Sequence, residues 1–96
     1  MKPDKLLLEL EEIVTNNDFR IRKEKGNFKS DHCYVDGDNV VVLNKLHPVE
    51  SQVGILARLI YDQKISEQFI KPKVRKALSD LWKNSTYYDP DEFELE

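Results

Sequence analysis

The stretch Cys33-Tyr-Val-Asp-Gly-Asp-Asn-Val-Val-Val-Leu-Asn44 constrains the fold more than any other part of the chain. It predicts a β-hairpin, with Tyr34 and Val35 ending one strand, Asp36-Gly37-Asp38-Asn39 turning, and Val40 to Leu43 returning. Tight hairpin turns need left-handed backbone, which Gly, Asn and Asp accept most readily. Val40, Val41, Val42 and Leu43 are apolar at every position, the pattern of a strand covered on both faces. Helices are therefore expected to pack over it.

The flanking segments supply those helices. Pro3 suits a first helical turn, and Asp4 an N-cap or early acidic position. Leu6, Leu7, Leu10, Ile13 and Val14 recur at helical spacing, which predicts a helix from Asp4 to Thr15 with Glu9, Glu11 and Glu12 on its wet face. Asn16-Asn17-Asp18 ends it, because short polar side chains compete with the helical backbone. Phe19-Arg20-Ile21-Arg22-Lys23 alternates apolar and basic residues, as a strand with Phe19 and Ile21 inward does. Its cationic side fits a sheet edge guarded against aggregation. Lys25-Gly26-Asn27 is a turn, and Phe28 to His32 either extends the next strand or forms a loop. Three strands in close succession predict an antiparallel meander.

After Pro48 a second helix is expected over Val49 to Gln63, with Val53, Leu56, Ala57 and Ile60 on one face and Gly54 marking a close backbone approach. Lys64 to Ile70 connects, with a short turn begun by Ser66. Pro72 opens a last helix carrying Val74, Ala77, Leu78, Leu81 and Trp82, closed by Asn84-Ser85-Thr86. The expected fold is α+β, in the order α-β-β-β-α-α, with a small three-stranded antiparallel sheet packed with helices. It occupies 1–88 as a single domain, and 89–96 form an acidic, disordered tail.

Composition narrows the function. Of the 96 residues, 40% are hydrophobic and 34% charged, which suits one small core. No apolar run approaches the roughly 20 residues of a membrane helix, so no membrane association is expected. Leu6-Leu7-Leu8 is broken by Glu9 and makes no signal peptide. A single cysteine forms no internal disulfide, and a bacterial-style cytoplasmic protein is the plain reading. The net charge of −3 hides a pattern. Residues 20–29 carry five bases against one acid, residues 71–83 again five against one, and residues 89–96 five acids. Two solvated faces and a frayed end account for this without a ligand.

Most signatures of chemistry are absent. Three glycines, Gly26, Gly37 and Gly54, cannot make a phosphate loop. Asp36-Gly37-Asp38-Asn39 lacks the ligand spacing of a calcium loop. His32, Cys33 and His47 are the weak chemical candidates, as three zinc ligands or a Cys–His nucleophilic pair. Adjacent strand residues point to opposite faces, however, and the spacing matches no common zinc site. The carboxylates form no defensible pair, and Glu50 at a helix start is explained by the helix dipole. No cofactor and no enzymatic activity are expected.

The Asp-Gly hairpin, the apolar strand ending in Asn44, the link bearing Pro48 and the helical Leu56-Ala57 together resemble the ImmA/IrrE-type metallopeptidase domain. The resemblance covers Gly26 to Asp62 and implies an initial helix, a small sheet and a helix bearing His-Glu-x-x-His. Arg58, Leu59 and Asp62 stand where the family has His, Glu and His. Arginine cannot ligate zinc, leucine cannot act as a base, and one aspartate cannot hold the ion, so the resemblance implies a dead peptidase. The Cys-x-Val…Val-Val-Leu-Asn-Lys arrangement also resembles small bacterial proteins of unknown function.

The leading expectation is a non-enzymatic protein-interaction or regulatory domain. Its partner would be an unknown protein or a second copy in a homodimer, docked on the basic strand at a sheet edge. The alternative is a nucleic-acid-binding module using Arg20, Arg22, Lys23, Lys71, Lys73, Arg75 and Lys76, with Phe28, Tyr34 and Trp82 for stacking. The negative net charge weighs against it.

Overall fold

The computed structural model describes residues 1–66 and 70–84. The connection at 67–69, the expected end of the last helix at Ser85-Thr86 and the acidic stretch at 89–96 lie outside the described residues. The elements are α1 (Pro3–Asn16), β1 (Phe19–Glu24), β2 (Asp31–Val35), β3 (Asp38–Asn44), α2 (Val49–Asp62) and α3 (Pro72–Asn84), an α+β fold in the expected order.

Pro3 opens α1, Lys2 is the N-cap residue, and Asp4 takes the early acidic position in the first turn. Thr15 Oγ1 donates to the Glu11 carbonyl and Asn17 Nδ2 to that of Ile13, each at 2.7 Å. Asp18, at φ 68°, then turns the chain into β1.

The sheet departs from the expected antiparallel meander. Its order is β1-β3-β2, with β2 antiparallel to β3 but β1 parallel to it. The apolar strand β3 takes the centre, where both of its edges are paired, and β1 and β2 form the two sheet edges. The segment 25–30 therefore crosses the C-terminal end of β3, and one buried side chain holds it there. Asn44 Nδ2 donates to the carbonyls of Gly26 and Phe28 at 2.8 Å, and its Oδ1 accepts from the Leu46 amide at 3.0 Å. The Asn44 amide donates to Ser30 Oγ at 2.8 Å. The hairpin turn is tighter than expected: only Asp36 (φ 50°) and Gly37 (φ 87°) turn, while Asp38 and Asn39 belong to β3. Positive φ at both central residues is the type I′ pattern that matches strand twist.

Among the described residues the helices cover the apolar run of β3 on one face, while on the other Val40 is buried all the same, at 7% exposure. Val41 and Leu43 join Phe19, Leu10, Val14, Leu56 and Ile60 in the core. Val40 and Val42 alternate to the opposite face, where Val42 is half-buried and neither belongs to that core. Lateral neighbours shelter Val40, with Arg20 on one side and Cys33 on the other. α1 packs on β1 and α2, and α3 packs on α1 and α2. Trp82 Nε1 donates to the Ala57 carbonyl at 2.9 Å, and its ring stacks tilted on Tyr61 at 5.4 Å. Among the described residues no helix is long and apolar enough to cross a membrane.

Candidate interaction surface

The two sheet edges differ in chemistry. On β1 every basic side chain has an acidic partner. Arg20 lies 3.3 Å from Asp38 and Arg22 lies 2.8 Å from Glu24, both pairs exposed. Lys23 reaches across to α1 and meets Glu11 at 2.7 Å. Glu11 Oε2 is shielded from solvent and rests on the charge of Lys23 rather than on an aligned hydrogen bond. Lys71 makes the matching contact at the start of α3, 3.1 Å from Glu9. The acidic ridge of α1, expected to be a wet face, thus clips the helix to β1 on one side and α3 on the other. The basic strand does lie at an edge, but its charges are spent inside the chain.

The β2 edge carries no lysine or arginine, and all its residues but His32 are exposed. Tyr34 is 71% exposed and Val35 48%. The two-residue turn sets which backbone groups are free. Val35 and Asp38 flank it as a hydrogen-bonded pair, and alternation makes Cys33 and Asp31 face β3 as well. The amides and carbonyls of His32 and Tyr34 then point outward from the sheet. The His32 amide confirms this, since it donates to Asp31 Oδ1 at 2.7 Å rather than to β3. Side chains alternate too. His32 and Tyr34 share the face of Val41, while Cys33 and Val35 share that of Val40. On this outer face a hollow of about 480 Å³ is lined by Arg20, Arg22, Val35, Asp38 and Val40.

The three weak chemical candidates do not converge. The His32 ring is engaged by Asn39 Oδ1 at 3.0 Å from Nε2 and by Phe19 at 5.2 Å between ring centres. Cys33 lies exposed on the outer face. His47 belongs to the link before α2, where its amide donates to Asn44 and its carbonyl accepts from Gln52 Nε2. Among the described residues, no three His, Cys, Asp or Glu side chains are grouped to hold a metal ion.

The positions that the metallopeptidase resemblance singles out are gathered on α2. Leu59 is buried in the core, and Arg58 Nε lies 3.8 Å from Asp62. Both rim a hollow of about 320 Å³ shared with Ser30, His32 and Ile55. This donor set does not fit a zinc ion: a guanidinium repels it and an isobutyl side chain offers no lone pair.

No family model, curated protein or solved structure among those compared matches this chain.

The other basic segment behaves differently from β1. Lys73, Arg75 and Lys76 are exposed on α3 with no ion pair among the described residues. Lys73 and Lys76 share a groove of about 450 Å³ with Lys5 and Met1. Arg20 and Arg22 point away from the helices, so the two cationic segments sit in different layers and form no common face. Of the expected stacking residues, Tyr34 alone is broadly exposed. Phe28 is half-buried, and the indole of Trp82 is tied to α2.

The sequence points to β1 as the docking strand and to Tyr34 only as a stacking residue, not to the edge formed by Tyr34 and Val35. The signal was available: no lysine or arginine occurs between Ser30 and Asn44, whereas β1 holds three in six residues.

Proposed function

We infer that this chain is a protein-interaction domain that takes up an extended partner segment along the outer edge of β2. The contrast between the two edges carries the reading. An edge strand is a template for another strand unless charge, proline or a cover blunts it. β1 is blunted by three cations, and β2 is not. In strand addition, main-chain hydrogen bonds supply affinity and alternate side chains supply specificity. Here the outward amides and carbonyls of His32 and Tyr34 are the main-chain groups, and Tyr34 is the exposed aromatic beside them.

The test is site-specific photo-crosslinking in living cells, with a benzoylphenylalanine at position 34, 22 or 76. Protein adducts concentrated at position 34 are expected. Adducts concentrated at 22 or 76 would move the interaction onto the cationic surfaces and overturn the reading, as would a complete lack of adducts.

A second reading, nucleic-acid binding, is favoured by one observation, the exposed cations of α3 that have no ion pair among the described residues. It rests on Lys73, Arg75 and Lys76 without the strand cations. Three phosphate contacts imply a log–log salt slope of about −2 on single strands. Fluorescence polarisation of labelled oligonucleotides, unchanged by the protein at low salt, would remove it.

A further inference from the structure

The β2 edge is complementary to itself. We propose that its occupant is a second copy of this chain, paired antiparallel about a twofold axis through Cys33, giving a continuous six-stranded sheet. The proposal rests on the interaction reading above and names its partner.

Hydrogen-bond geometry selects the register. Two antiparallel strands bond only where outward-facing residues stand opposite outward-facing residues. Along β2 these are His32 and Tyr34, for the reasons given by the turn and by the Asp31–His32 contact. Registers that place an outward residue opposite an inward one fail. Of those that remain, a twofold axis at His32 or at Tyr34 overlaps only three strand residues. An axis at Cys33 overlaps all five, from Asp31 to Val35. It sets His32 of each chain against Tyr34 of the other, as two hydrogen-bonded pairs.

The side chains agree with that register. No like charges stand directly opposite each other: Asp31 faces Val35, and Lys29 faces Gly37 beside the acid Asp36. On the helix-side face, each imidazole is set against a phenol ring, a favourable cross-strand pair. On the outer face, Cys33 and Val35 of both chains extend the apolar strip begun by Val40. The Asp31 carboxylate that now caps the His32 amide is exposed, so it can yield to a partner carbonyl by rotating into water. A five-residue edge buries less than the roughly 1,200 Å² of a standard stable interface. The association is therefore weak and concentration-dependent.

Cysteine chemistry reads the register directly. Cys33 and its symmetry mate form a pair not hydrogen-bonded to each other, with Cα atoms about 4.5 Å apart. That lies within the roughly 4.4–6.8 Å a disulfide spans. Added diamide takes two electrons and two protons from the two thiols, which become one disulfide as diamide becomes the hydrazine. The full-length chain is expected to form a Cys33–Cys33 dimer in proportion to its concentration. In a Cys33→Ser background, chains carrying Asp31→Cys and chains carrying Val35→Cys should cross-link to each other. Each alone should react about tenfold more slowly, because like positions then lie about 14 Å apart, four residues of strand rise. Tyr34→Pro removes an outward amide, and Tyr34→Lys guards the edge while keeping that amide. Both should lower Cys33 cross-linking about tenfold, with the urea midpoint of the monomer unchanged.

Equal cross-linking rates at all positions would mean random collision and overturn the dimer, as would Cys33 staying reduced at high protein concentration. Adducts of position 34 with a different protein, found while Cys33 stays uncoupled, would refute the dimer and leave the interaction reading standing. Silence in both experiments would refute both.

Discussion

Asn44 ties the crossing segment 25–30 to the end of β3. Its side chain bonds three part-buried backbone groups, two carbonyls of the crossing segment and one amide after the strand. Asn44→Ala should cost about 2–4 kcal/mol, because it removes three hydrogen bonds at once and leaves part-buried carbonyls with a desolvation penalty. Asn44→Asp should be no milder, since a carboxylate cannot donate to the Gly26 and Phe28 carbonyls. Urea unfolding of both variants, at unchanged slope, measures this. Ser51 is the opposite case: its hydroxyl is buried with no partner among the described residues. Ser51→Ala should be neutral or stabilising by up to about 1 kcal/mol, and a clear loss of stability would show that the hydroxyl is bonded after all. The role of Asn44 was not legible in the sequence. An asparagine ending an apolar strand reads as a strand terminator, and only the segment folded over it supplies its partners.

At the scale of elements, two ion pairs fasten α1, and they are not equivalent. Lys23 is 35% exposed against Glu11, whereas Lys71 is 68% exposed against Glu9. Exposed pairs are screened and contribute little. Double-mutant cycles should therefore give a coupling near 1 kcal/mol for Glu11–Lys23 and under about 0.5 kcal/mol for Glu9–Lys71, the latter vanishing first as salt is added. The hairpin turn offers a second check. A Cβ at Gly37 would touch nothing within 4 Å, so Gly37→Ala loses stability only through its φ of 87°. The expected cost is about 1–2 kcal/mol, visible as a lower urea midpoint with the fold intact. The hairpin itself was legible, because Asp-Gly between apolar runs has a local cause. The pairing of β1 was not. Parallel and antiparallel edges demand the same alternation of Phe19 and Ile21, so period alone leaves the direction undecided.

For the whole molecule, the helices among the described residues stand on one side of the sheet, and on the other Val40 is sheltered by flanking side chains. α3 joins through Val74, Leu78, Ile70 and the Trp82 bond, and it packs on α1 and α2. It should open before the rest: native-state hydrogen exchange is expected to be faster in α3 than in β3 and α2, whose amides report global unfolding. Uniform protection across all three would show that α3 belongs to the same cooperative unit. The cationic segments illustrate why charge counts mislead at this scale. Sequence shows two basic runs and an acidic helix face, and folding sets Glu9 and Glu11 between them. One cation of each run, Lys23 and Lys71, is thereby converted into fastening.

The features that can be read along the chain are local. The three helices and three strands, their order, the place of the hairpin at Asp-Gly and the inward residues of α1, β1 and α2 follow from periodicity and backbone preference, which act between near neighbours. The tertiary structure decided which strand takes the centre, which face of β3 is covered, which cations are paired and which edge is open. Each of these depends on groups distant in the chain, such as Asn44 with Gly26 and Phe28, or Lys71 with Glu9. A hydrogen bond or an ion pair is set by separation in space, and the order of residues along the chain does not encode that separation locally.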